Sequence, residues 1–75
     1  MSEYHITRRD DGWAAQKSGS SRAASLHSTQ ADAIDAGRGY LQNQGGGELV
    51  IHGRDNRIRA KDTIAPGNDP RTIPG

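Results

Sequence analysis

Residues 28–41 read STQADAIDAGRGYL, and this stretch decides the fold because it carries the clearest helical pattern in the chain. Thr29 is placed to cap the helix, its hydroxyl accepting from the backbone N–H of Asp32, and the Asp32 carboxylate favours the positive helix end. Ala33, Ile34, Gly37, Tyr40 and Leu41 recur at helical spacing and form an apolar stripe. Gly37 and Gly39 each weaken a helix by roughly 1 kcal/mol relative to Ala. Gly37 lies on the stripe, where a close approach to a sheet explains it; nothing in the sequence explains Gly39. Gln42, Asn43 and Gln44 lead into Gly45-Gly46-Gly47, one of which can take the left-handed conformation that ends a helix.

On either side of the helix the period changes from helical to alternating. Residues 4–9 (YHITRR) put Tyr4 and Ile6 on one face and His5 and Thr7 on the other, the pattern of a half-buried strand. Asp10-Asp11-Gly12 is a turn signal, with Gly supplying positive φ at little cost, and residues 13–17 resume period two with Trp13 and Ala15 inward. Residues 18–21 (SGSS) form a second turn, followed by a third, weaker strand over residues 22–27. After the helix, residues 48–52 (ELVIH) are the most strand-like segment; residues 53–56 turn, and residues 57–62 (RIRAKD) alternate again. The expected order is β-β-β-α-β-β. An α+β domain with one helix packed on one face of a mostly antiparallel sheet is the economical architecture, and it leaves the other sheet face open.

The 75 residues make one domain, expected over residues 1–62, and residues 63–75 hold all 3 prolines without periodicity and read as a mobile Pro/Gly-rich tail. Apolar residues are 31% of the chain, aromatics 4%, and Phe is absent, so the core must come from Trp13, a few Ile and Leu, and alanines. Cysteine is absent too, which removes disulfides, thiolate metal sites and cysteine nucleophiles together. Small domains without such supports often self-associate. A net charge of +1 gives no overall nucleic-acid signal, so only local clustering could. No apolar run approaches the ~20 residues of a membrane span, and the expected location is the cytoplasm.

The chain resembles the small bacterial proteins grouped as domain of unknown function 2188, the YdaT-like proteins. The resemblance rests on Asp11-Gly12-Trp13-Ala14, on residues 29–34 (TQADAI), on residues 48–59 (ELVIHGRDNRIR), and on Gly67-Asn68-Asp69-Pro70. Asn56 stands where a glycine looks more usual, and Asn also tolerates the left-handed region. The resemblance implies the fold and supplies no reaction, ligand or catalytic residue.

Candidate chemistry is sparse. His5, His27 and His52 all fall on expected strands, opposite the apolar stripe, but no two share a short ligand spacing and no nearby carboxylate fixes their tautomers. His52 precedes the Gly53 turn, where its ring could cap the loop. The serines lie in turns or at the helix start, outside any Gly-x-Ser-x-Gly elbow. Asp10 with Asp11 is turn chemistry, and Asp32 with Asp35 is a solvated helix face. Residues 45–47 follow a helix instead of leading into one, the wrong order for a phosphate cradle. No catalytic residue, metal, cofactor or small-molecule ligand is expected.

Two surfaces remain. Arg54, Arg57, Arg59 and Lys61 crowd the last hairpin, and Arg8 and Arg9 close the first strand; these six could form a basic patch for phosphate. Asp55, Asp62 and Glu48 lie among them, and charged edge strands also discourage aggregation. The open sheet face carries His5, Thr7, Gln16, Ser25 and Val50, a mixed set that permits an interface. The leading expectation is a non-enzymatic binding or assembly module working through its sheet surface or its tail, with a homodimer paired through the open face as one form of it. The rival is a nucleic-acid-binding accessory protein using the basic residues.

Overall fold

In the computed structural model of the chain, which describes residues 2–66, the strands are β1 (Ser2–Arg9), β2 (Gly12–Lys17), β3 (Ser25–His27), β4 (Gly47–His52) and β5 (Ile58–Ile64), with one helix, α1 (Gln30–Asn43), between β3 and β4. They form a five-stranded sheet in the order β3-β2-β1-β4-β5. Neighbours are antiparallel except the central pair: β1 runs parallel to β4, with Tyr4 opposite Leu49 and Ile6 opposite Ile51. β3 and β4 therefore point the same way, and a same-direction connection needs a crossover. Helix α1 supplies it, packing across β2, β1 and β4 on one face of the sheet.

The expected α+β order is the observed one. Thr29 caps α1, accepting from the Asp32 N–H at 3.1 Å. Gly45 (φ 86°) and Gly46 (φ 90°) end it in the left-handed region, and the Gly46 N–H donates to the Leu41 carbonyl at 2.6 Å. Ala33, Gly37 and Leu41 are the buried helix positions. They meet Tyr4, Ile6, Trp13, Ala15 and Leu49 from the sheet. At Gly37 an added Cβ would stand 2.8 Å from Leu49 Cδ1 and 3.1 Å from Ile6 Cδ1, so the glycine does permit a close helix–sheet approach. Tyr40 stacks on Tyr4 with ring centroids 5.3 Å apart, and the Gln44 amide donates to the Tyr4 hydroxyl at 2.8 Å.

Four local expectations change. β3 is three residues long, not six, because residues 22–24 leave the ladder apart from the Ala24 N–H, which reaches the Ala15 carbonyl. β5 continues through Thr63 and Ile64, past the expected domain edge at residue 62. Gly12 is not in the left-handed region; it opens β2, and a Cβ there would collide with the His27 carbonyl oxygen. The register of β3 sets Ser25 beside Ala15 and His27 beside Trp13, so both lie on the helix side and not on the open face. The tail from Gly67 to Gly75, expected to be mobile, lies outside the described residues. No helix among the described residues is long and apolar enough to cross a membrane.

Candidate functional site

Helix α1 covers one face of the sheet, and among the described residues no second layer lies on the other. That open face follows from the pleat: Glu3, His5, Thr7 and Arg9 on β1; Ala14 and Gln16 on β2; Leu26 on β3; Glu48, Val50 and His52 on β4; and on β5 Lys61 and Thr63, with Ile58 brought there opposite His52 by a bulge. Val50 is only 2% exposed there, and Ala14 is fully buried. The face therefore has a small apolar floor beneath a polar lattice. Leu26, at the β3 edge, is 69% exposed.

The lattice is tied across strands. The Arg9 guanidinium donates to Gln16 Oε1 at 2.6 Å, and the Gln16 amide donates to the Ser20 carbonyl. The Thr63 hydroxyl donates to Glu48 Oε2 at 2.7 Å. At the centre, His5 Nδ1 and His52 Nε2 face each other at 2.9 Å, joining the parallel strands β1 and β4. The other nitrogen of each ring is also engaged: His5 Nε2 donates to Glu3 Oε2 at 2.7 Å and His52 Nδ1 to the Asn56 carbonyl at 3.0 Å. His5, His52, Thr7, Gln16, Lys17 at the end of β2 and residues 18–20 of the β2–β3 loop line a shallow hollow of about 280 Å³.

Of the three histidines, then, two converge and the third is separate. His27 lies on the helix side with Ser25 Oγ 2.7 Å from its Nε2. The expectation that no nearby carboxylate fixes a tautomer is corrected by Glu3, two residues before His5 and on the same face of β1. That signal was available, since residues i and i+2 of a strand share a face. The expected loop cap by His52 is present. Asn56 takes the left-handed conformation (φ 63°), and its Oδ1 accepts from the Arg8 N–H at 3.3 Å, tying the β4–β5 turn to the end of β1. A glycine would permit that conformation but not that bond. Among the described residues, no group of three or more His, Asp or Glu side chains gathers to hold a metal ion.

The six basic residues do not form one stripe, because β4 separates β1 from β5. Arg8, Arg9 and Arg54 come together at one end of the sheet, lining a hollow of about 470 Å³ with Asp10 and Asn56. Arg8 also lies over Trp13, 5.8 Å from the ring centroid. Arg57 and Arg59 reach Asp55 instead, at 3.8 and 3.6 Å. Lys61 stands on the open face in register with Val50.

A family model described as an uncharacterized protein conserved in bacteria (DUF2188) matches residues 4–64. That span includes every segment that carried the resemblance except Gly67-Asn68-Asp69-Pro70. Neither a curated protein nor a solved structure matches the chain.

Proposed function

We propose that this chain, which belongs to the DUF2188 family of uncharacterized bacterial proteins, is a non-enzymatic binding and assembly module that pairs with a second copy of itself through its open sheet face. The observation that carries the reading is the contrast between the two faces of one sheet. One is closed by α1 over Tyr4, Ile6 and Leu49; over the other lies no helix or strand of the described residues, yet its side chains are held by cross-strand hydrogen bonds. A surface ordered before contact loses less side-chain entropy on binding. Twofold pairing lets one such surface meet its own copy, the commonest arrangement of small oligomers.

Sedimentation equilibrium over a dilution series tests this. The expected result is a reversible dimer that Thr7→Arg abolishes while the fold is retained by circular dichroism. A monomer persisting to about 1 mM would limit any pairing to less than about 4 kcal/mol and contradict the proposal.

A second reading is favoured by the grouping of Arg8, Arg9 and Arg54 around one hollow at the end of the sheet, since arginine side chains suit phosphate. Here the chain contacts nucleic acid through Arg8, Arg9 and Arg54, with Arg57, Arg59 and Lys61 flanking. A salt-sensitive shift of labelled DNA or RNA, lost in Arg8→Ala/Arg54→Ala, supports it. No shift at about 50 mM salt, where phosphate contacts are strong, contradicts it.

A further inference from the structure

We infer that His5 and His52 hold one proton between them, and that this shared proton clasps β1 to the β4–β5 hairpin. The inference follows from counting donors. Each ring has its outer nitrogen against a group that only accepts: the Glu3 carboxylate at 2.7 Å from His5 Nε2, and the Asn56 carbonyl at 3.0 Å from His52 Nδ1. Both outer nitrogens therefore carry protons. A neutral imidazole has one N–H, so two neutral rings have none left for the inner contact. Their inner nitrogens would then be two lone pairs facing each other at 2.9 Å. That spacing is a hydrogen-bond distance, and a bond there requires a third proton. The pair is thus an imidazolium hydrogen-bonded to an imidazole, with Glu3 as its counter-charge.

The alternative bridging cation, a metal, does not fit. The ring centroids are 5.2 Å apart, longer than the N···N distance by two ring radii, so both nitrogens lie on the line joining the rings. A metal on that line would need the nitrogens about 4 Å apart, since Zn–N distances are about 2.0–2.1 Å. A chelated metal would instead need both lone pairs turned toward a point beside the line.

Other charges near the pair are Arg9 on β1, Lys17 in the same hollow on β2, Glu48 beside Glu3 in the β1–β4 register, and Lys61 and Arg59 on β5. Arg9 is held by Gln16, Glu48 by Thr63 and Arg59 by Asp55, whereas Glu3 bonds directly to a ring.

The clasp closes only with one shared proton. Removing it leaves opposed lone pairs; adding another leaves opposed N–H groups, and either state parts the rings. Asn56, at the far end of the chain of bonds, also holds the Arg8 N–H, so opening loosens the turn that carries Arg54. Protonation of a histidine pair thereby becomes a control on the placement of the β4–β5 turn.

Nitrogen-15 NMR of the intact, labelled chain tests the inference. Expected are a scalar coupling between His5 Nδ1 and His52 Nε2 and three ring N–H protons over the two rings. The coupling should persist in His27→Gln and vanish as pH is raised, with Gly53 and Asn56 amide exchange rising in step. Unprotonated inner nitrogens on both rings wherever the chain is folded would overturn the shared proton. So would stoichiometric zinc uptake at the two rings, because the bridging site would then belong to a metal. Amide exchange at Gly53 and Asn56 that ignores loss of the coupling would overturn the control of the turn.

Discussion

Gly37 of α1 faces Leu49 of β4 so closely that a methyl group at residue 37 would stand 2.8 Å from Leu49 Cδ1. Leu49 is fully buried, so its side chain has little room to withdraw. Gly39, two residues along the same helix, has nothing within 4 Å of its added Cβ. The two glycines are therefore opposite cases. Gly39→Ala should stabilise the domain by up to about 1 kcal/mol through helix propensity. Gly37→Ala gains the same propensity but overpacks a tight contact, a cost of about 1–3 kcal/mol, and should be neutral to destabilising. Urea unfolding of both variants checks the sign of the difference.

Gly12 makes a second close approach, backbone to backbone. Gly12→Ala would drive a methyl group into the His27 carbonyl, and β3, held by three residue pairs, is the element that must yield. The expected outcome is faster amide exchange in β3 with β1 and β4 protection retained, at a cost of about 1–3 kcal/mol.

Asn56 combines a left-handed backbone with a side-chain bond to β1. Asn56→Ala should cost about 1–2 kcal/mol, because a Cβ without a local polar partner is disfavoured there. Asn56→Gly relieves the backbone and loses only the bond to the Arg8 N–H, about 0.5–1.5 kcal/mol. Thermal unfolding should rank native above Gly above Ala.

Thr29 holds the N-terminus of the crossover helix through the Asp32 N–H. Thr29→Ala should lower stability by about 0.5–2 kcal/mol, and Thr29→Ser should restore most of it.

The helix, its caps and the inward residues of β1 and β2 were legible because their signals are local: Thr29 three residues before Asp32, Tyr4 two before Ile6. The parallel β1–β4 pairing was not, since it depends on where the crossover lands and not on any residue in either strand. β3 was overread because residues 22–24 offer alanine, with little side chain to fix a face, and its register placed His27 and Ser25 on the wrong side. The Glu3–His5 pair could have been found from period two alone. The His5–His52 contact could not, because 47 residues separate the rings and only the sheet order makes them neighbours. The basic residues were legible as a count but not as a surface: Asp55 draws off Arg57 and Arg59, while Arg54 folds back beside Arg8 and Arg9.

The open face is the centre of the functional proposal, and amide NMR over a dilution series addresses it residue by residue. Concentration-dependent shifts should concentrate at His5, Thr7, Gln16, Val50, Lys61 and Thr63 and spare the outer side of α1. A spectrum unchanged up to about 1 mM, the range where even weak pairing shows, or shifts centred on the helix, would contradict the assignment of this face as the working surface.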